Sequence, residues 1–310
     1  MAALPNQEFR QLVCVMREKE FYDPEIIRPI HWPAYNTTQI LEAKETLVFI
    51  RDSIDQLELP SMKGKAGKPL TNPRSLAKAV LACEALGLTE RNAQGWLELL
   101  GPFLGIHEHL DDRTIGDAYN KVEVLSLMKQ LFDKTKSSDG ILSGDGTGLE
   151  TSRKQNYESD KMSGHNLTGI VDSREIVQAF EIGLQEGKAM HKMVKAVYGN
   201  SLRLDAGFND RELVREIAER GMIPYVFPKR NNKLNGSDAW KFMYLSLFLD
   251  VMQWLTEYHQ RSHCESFHSS FKMRYGMVTK RRLTSVLSQV TARIILHNRR
   301  RLSYFARVGR

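Results

Sequence analysis

Four residues with chemically useful side chains are spaced so that a single helix would bring them together. They are Tyr258, Arg261, Glu265 and Lys272, at relative positions 0, 3, 7 and 14. At roughly 100° per residue they would share an arc about 60° wide. A carboxylate there suits a hard cation, and the basic pair suits the phosphates that such a cation holds. A solvent-facing amphipathic helix has the same spacing, and on this stretch alone we favour that interpretation.

Composition and charge restrict the class of protein. The 310 residues carry a formal net charge of +7, which favours a polyanionic partner. Residues 271–310 hold eleven Lys or Arg and no Asp or Glu. The three cysteines form no CxxC pair, which fits a reducing compartment and argues against a disulfide framework. With no signal-like start and no long apolar run, we expect a cytoplasmic protein without a membrane partner.

The first half of the chain has helical periodicity. We predict helices from Thr37 or Thr38 to about Leu57, and over 73–86, 89–100 and 113–134. Short helices joined by tight turns, the last one long, are compatible with a helix-turn-helix at 89–134. A plain helical bundle explains the pattern at least as well. In either arrangement the domain over 1–136 is all-helical, and we predict that it binds DNA.

After residue 136 the pattern changes to the order β-β-β-α-β-α-β-α, typical of a mixed sheet with helices packed on it. Asp145 lies in the first of these strands and Asp205 at the carboxyl end of the fourth. Glu265 follows on the long helical region, and sites form at such strand ends. Three converging carboxylates would make a pocket for Mg²⁺. Separately, each aspartate is explained as well by a turn or a helix cap.

This combination resembles the DDE transposases of prokaryotic insertion sequences, in particular the group with a Tyr-x2-Arg-x3-Glu-x6-Lys pattern around the third acid. That pattern is complete here. The contexts Ser-Gly-Asp145-Gly-Thr-Gly and Arg-Leu-Asp205-Ala-Gly-Phe also look like the family. The resemblance implies an α/β fold with a ribonuclease-H-like mixed sheet and flanking helices over 137–310, ending in a basic helix that we predict over Leu283–Asn298.

The resemblance also implies a function and its site. Asp145, Asp205 and Glu265 would be catalytic and would hold two Mg²⁺ ions, with Mn²⁺ expected to substitute. Tyr258, Arg261 and Lys272 would grip phosphates near the transposon end. A further basic run would add sequence-independent affinity for DNA: Arg299, Arg300 and Arg301. The partners would be double-stranded DNA, as terminal inverted repeats and target, and a second copy of the chain.

Three other functions or origins remain open at this point. A ribonuclease-H-like nuclease would hydrolyse DNA without rejoining the ends. A transposase-derived DNA-binding protein would bind without cleavage, although all three acids are present. A helical bundle fused to an unrelated α/β domain would match the pattern by chance.

Overall fold

A computed structural model describes residues 6–18, 29–59, 71–151 and 165–309. The described part of the first half forms helices only: α1 (Asn6–Met16), α2 (Trp32–Asp55), α3 (Pro73–Leu86), α4 (Glu90–Leu104), α5 (Asp112–Ala118) and α6 (Val122–Lys134). The described part of the second half then gives β1 (Ile141–Leu149), β2 (His165–Val171), β3 (Val177–Ile182), α7 (Glu186–Val194), β4 (Ser201–Leu204), α8 (Arg211–Glu219), β5 (Ile223–Val226), α9 (Asp238–Leu249), α10 (Val251–His259), α11 (Ser262–Tyr275) and α12 (Leu283–Val308). This order agrees with the predicted alternation of strands and helices.

The chain divides into two compact units. The first is drawn from Met1–Pro29, Ser137–Gly148 and His165–Ser270. The second is drawn from Ile30–Lys136, Leu149–Gly164 and Phe271–Arg310. The chain passes from the second unit to the first after Lys136. The functional division at that point, with a DNA-binding domain before it and a catalytic domain after it, stays a prediction.

The first unit is built on a five-stranded sheet in the order β3-β2-β1-β4-β5. Strands β1, β4 and β5 run parallel, whereas β2 and β3 pair antiparallel. The α/β prediction of a ribonuclease-H-like mixed sheet with flanking helices is therefore confirmed. Helix α7 packs on β2 and β3, and α8, α9 and α10 contact β5. The core of this unit includes Met190, Met193 and Val194 on one side of α7 and Leu142 and Leu204 from the strands.

The second unit is helical, with α12 packed against α2, α3 and α6. A carboxylate lies at its centre. Glu84 accepts hydrogen bonds from the Tyr119 hydroxyl at 2.7 Å, from Gln289 Nε2 at 2.9 Å and from Arg293 Nε at 2.7 Å. Because Glu84 and Arg293 are both buried, each depends on the other for compensation of its charge.

Several helix boundaries differ from the prediction, and α4 continues through Gly101 and Pro102 to Leu104 rather than ending at residue 100. Helix α2 starts at Trp32 rather than at Thr37 or Thr38, because the His31 ring accepts the Ala34 amide and caps the helix earlier. The single helix predicted over 113–134 is two helices, α5 and α6, since Tyr119 turns inward to reach Glu84 and Lys121 is extended. Helix α12 continues ten residues beyond Asn298, to Val308. The helix-turn-helix at 89–134 stays a prediction.

No helix in the described parts of the chain is long and apolar enough to cross a membrane.

The buried carboxylate predicts a large stability effect in the second unit. Glu84→Leu leaves the Arg293 guanidinium buried without its counter-charge, and we expect it to lower the free energy of unfolding by about 3–5 kcal/mol. The double variant Glu84→Leu/Arg293→Met removes both charges and should recover most of the loss. Urea denaturation measures both. The exposed Glu98→Leu, on α4, is the control, expected to change stability by about 0.5 kcal/mol or less. A loss for Glu84→Leu no larger than that of the control would contradict this account.

Candidate active site

The register of two parallel strands brings two of the predicted acids side by side. Strands β1 and β4 pair from Ile141↔Ser201 to Gly144↔Leu204. Asp145 and Asp205 are the next residues on each strand, and the backbone at Asp205 is still extended. Neighbouring strands lie about 4.8 Å apart, and equivalent positions point to the same face. The two carboxylates therefore leave the sheet on one face at adjacent positions.

Backbone amides orient both aspartates. Asp145 Oδ1 accepts the Gly146 amide at 2.8 Å. Asp205 Oδ1 accepts the amides of Gly207 and Phe208 at 2.8 and 3.3 Å, and so caps the short 3₁₀ turn Ala206–Phe208. The cap explains why the sequence places a glycine directly in that turn, since a Cβ at Gly207 would lie 2.9 Å from Asp205 Oδ1. In each aspartate these bonds are made by Oδ1 and not by Oδ2.

Glu265 approaches the same face from the first turn of α11, where its side chain is about half exposed. Its Oε1 lies 2.8 Å from Arg261 NH2, so the guanidinium holds the carboxylate in an ion pair. Burial raises the pKa of Asp145 to about 6; the Gly146 amide opposes this, Asp205 raises the pKa further, Arg261 lowers it and Glu265 raises it. The three carboxylates and Arg261 thus form one electrostatic group.

Comparison with known families bears on this group of acids. Residues 136–299, more than half of the chain, match the family model described as the transposase DDE domain. The chain belongs to the DDE transposase family. Neither a curated protein nor a solved structure matches it at a significant level. The family membership gives the chain a transposase-type function, in a family of enzymes that generally use divalent metal ions.

The predicted single helix over the Tyr258–Lys272 motif is wrong. In this transposase α10 ends at His259 and α11 begins at Ser262. Between the two helices the Arg261 amide donates to the Tyr258 carbonyl at 3.0 Å, a bond over three residues that makes a tighter turn than that of an α-helix. Tyr258 lies beside Arg261, whose guanidinium is 5.8 Å from its ring centroid, but it is 7% exposed and stacks on Trp254 with ring centroids 5.3 Å apart. Burial raises the pKa of its phenol to about 12.

The remaining predicted DNA-contacting residues belong to the second unit. Lys272 is exposed on α11, two turns after Glu265. Arg299 and Arg300 lie inside α12 and face acidic side chains of α2, Glu45 at 3.9 Å and Glu42 at 3.7 Å. The Arg301 guanidinium lies 5.0 Å from the Phe305 ring centroid. The role of all four in binding DNA stays a prediction.

The donor chemistry fits a hard divalent cation, since the group offers carboxylate oxygens only. Across the described ranges, however, no three His, Cys, Asp or Glu side chains lie close enough together to hold a metal ion. The ion pair with Arg261 accounts for the position of Glu265. In this structure Glu265 is paired with Arg261 and is not grouped with the two aspartates in a metal site.

No role was predicted from the sequence for Arg203, whose side chain is 2% exposed on β4, two residues before Asp205. Its NH2 lies 2.5 Å from Glu257 Oε2, and its Nε donates to the Glu257 carbonyl at 2.6 Å. The one signal in the sequence is a charged residue between two leucines of the predicted strand Ser201–Leu204. That signal does not reveal which element the arginine contacts.

The raised pKa of Asp145 predicts how stability depends on pH in the metal-free protein. Between an ordinary value of 3.8 and about 6, the folded protein keeps a proton that the unfolded chain has released. The free energy of unfolding therefore falls as pH rises through this range and stays lower above it. At about 1.4 kcal/mol per pKa unit, reduced for partial exposure, the loss is about 1–3 kcal/mol.

We therefore expect Asp145→Asn to be more stable than the wild type at pH 8 in the presence of EDTA, with a thermal midpoint about 2–6 °C higher. The difference should shrink toward pH 4, where the folded Asp145 is neutral. Thermal melts over this pH range test it. The exposed Asp117→Asn is a control for the loss of one negative charge. A gain in midpoint that is independent of pH would contradict the assignment.

Proposed function

We propose that this chain is a DNA transposase that cleaves and joins strands at the ends of an insertion sequence. One observation carries the proposal: the β1–β4 register aligns Asp145 with Asp205 on the face that α11 approaches with Glu265. Three carboxylates from separate elements create a negative potential that a cation would neutralise. The net charge of +7 on the whole chain suits a polyanionic substrate despite this local negative charge.

Asp145, Asp205 and Glu265 are the proposed ligands of Mg²⁺, with Mn²⁺ as a substitute. When bound, two such ions would supply electrostatic stabilisation of the attacking and leaving oxygens of an in-line phosphoryl transfer. The chain's own contribution is to keep the aspartates aligned through the strand register and to bring the third carboxylate from a helix. Glu265 is half exposed, so it can change its rotamer without disturbing the core.

Arg261 has two partners in this scheme. In the described structure it neutralises Glu265. Once Glu265 turns toward the aspartates, the planar guanidinium is left with donors for a phosphate, which it can grip with two parallel hydrogen bonds. Tyr258 contributes differently from the other motif residues. Because its ring is buried in the stack with Trp254, we expect its contact with a phosphate to be made by the hydroxyl.

The proposed substrate is double-stranded DNA, both as terminal inverted repeats and as target, and the proposed active form is a homodimer in the cytoplasm. Lys272 is an exposed point charge suited to a phosphate. The proposed contribution of the α12 arginines to DNA affinity is limited by their engagement in the second unit, where Arg299 and Arg300 already face Glu45 and Glu42.

The activity test uses purified protein and a DNA fragment carrying the native flanking ends, with Mg²⁺. We expect Asp145→Asn, Asp205→Asn and Glu265→Gln each to lower strand cleavage at least about 100-fold while end binding persists. The exposed Glu219→Gln on α8 should cleave like the wild type. Cleavage without joined products would instead indicate a nuclease. End-specific binding without cleavage by the wild type would indicate a DNA-binding protein that has lost catalysis.

A binding test addresses Lys272 separately. Lys272→Ala should weaken end binding and reduce the slope of log K against log salt by about one, because one phosphate contact and its released counterion are lost. Filter binding from low to moderate salt measures the slope. Lys188→Ala, an exposed lysine on α7, controls for the loss of one positive charge. Equal slopes for Lys272→Ala and the wild type would rule out the phosphate contact.

A further inference from the structure

The buried arginine of β4 holds the end of a helix rather than another strand. Arg203 Nε donates to the Glu257 carbonyl at 2.6 Å, and NH2 contacts Glu257 Oε2 at 2.5 Å. Both acceptors belong to Glu257 in the last turn of α10, where the Gln260 amide makes a long 3.3 Å bond to the same carbonyl and the regular helical bonding ends. A cation is also favoured at this negative end of the helix dipole.

A neighbour on the adjacent strand makes a second bond to the same turn. Ser143 is the register partner of Arg203. Its hydroxyl donates to the Gln260 carbonyl at 3.1 Å, and Gln260 Nε2 in turn donates to Glu257 Oε2 at 3.0 Å. The stretch that joins α10 to α11 is thus attached to two strands of the sheet through side-chain hydrogen bonds.

Ser143 and Arg203 lie on the same face of the sheet as the two aspartates. Side chains alternate along a strand, so Ser143 shares a face with Asp145, and Arg203 shares it with Asp205. One pair of neighbours fixes the turn, and the next pair on the same face, about 6–7 Å further along the strands, carries the carboxylates. Glu265 follows the fixed turn by five residues, so the path from the anchored backbone to the third acid is short.

The start of α11 is also attached to the sheet beyond the turn. The Cys264 thiol donates to the Gly169 carbonyl of β2 at 3.6 Å. A Cβ at Gly169 would lie 3.5 Å from the Phe267 ring, so α11 lies close against this strand. Glu265 therefore lies between the α10–α11 turn, which Arg203 and Ser143 hold, and the part of α11 that contacts β2. The anchor formed by Arg203 and Ser143 lies on β4 and β1, the strands that lead to the aspartates.

We propose that Arg203, assisted by Ser143, is a positioning residue that presents Glu265 to Asp145 and Asp205 by fixing the α10–α11 turn to β4 and β1. The inference rests on the proposed role of Glu265 as the third ligand. An apolar residue would fill the same buried site at less cost in desolvation. An arginine instead reaches a carbonyl and a carboxylate of the turn at once, which locates the turn as well as filling the space.

The test measures Mn²⁺ binding directly by electron paramagnetic resonance, apart from any activity. Arg203→Met should weaken Mn²⁺ binding about tenfold, and Ser143→Ala about threefold. In a Glu265→Gln background neither change should weaken it further, because both act through Glu265. Equal weakening with and without Glu265 would overturn the proposal. If the wild type bound no Mn²⁺, the metal-binding function itself would fail, which is a distinct result.

Two further variants separate positioning from a general loss of stability. Arg174→Met removes another partly buried ion pair of the first unit, that with Asp172, and should lower the thermal midpoint with no change in Mn²⁺ affinity. Ser143→Ala and Glu257→Gln are milder changes that decide the matter if Arg203→Met does not fold. Unchanged Mn²⁺ affinity in both would overturn the proposal.

Discussion

The candidate site depends first on the parallel pairing of β1 with β4. Because that ladder aligns Gly144 with Leu204, the two residues that follow leave the sheet together, and no loop has to hold them. A backbone ladder is a stable way to keep like charges adjacent. The repulsion between them is opposed by several hydrogen bonds of the strands rather than by one side-chain contact. Burial raises the pKa of Asp145 to about 6, and the neighbouring Asp205 adds to the rise.

The third carboxylate is held by different physics. Glu265 approaches the face of the aspartates from a helix, and a helix packed on a sheet has freedom to slide and rotate that a paired strand lacks. Arg203 and Ser143 limit this freedom at the start of the helix, while Arg261 compensates the charge of Glu265 itself. The site therefore combines two rigidly aligned acids with a third whose backbone is anchored and whose side chain can still turn.

Much of this arrangement was accessible from residue types and spacing. Strand character around Asp145 and Asp205, and the mixed sheet, followed from local patterns that the tertiary structure left unchanged. The breaks in helices did not follow, since each depends on a distant partner: Arg203 and Ser143 for the α10–α11 turn, and Glu84 for the inward turn at Tyr119. Helical periodicity continues through such points, because the acceptor that interrupts it lies elsewhere in the chain.

The length of α12 has a similar explanation. Arginine is a good helix former, but three adjacent like charges repel one another, and the acidic side chains that compensate them are distant in sequence. The helix was therefore predicted to end before the arginine run, at Asn298. Glu42 and Glu45 of α2 are those partners, and Arg307 also pairs with Glu45. The predicted DNA contacts of this run therefore compete with contacts inside the second unit, a competition that net charge alone does not reveal.

The β1–β4 ladder has a consequence for how such a chain can change length. Since pairing rather than contour length aligns the aspartates, residues added to a turn between the elements that separate them leave the pair intact. A residue inserted within β1 ahead of Asp145 would instead turn its carboxylate to the opposite face, where Met190 and Glu186 lie against Gly144 and Gly146. Insertions in the turns between the acids therefore preserve the alignment of the two aspartates, whereas insertions inside the strands destroy it.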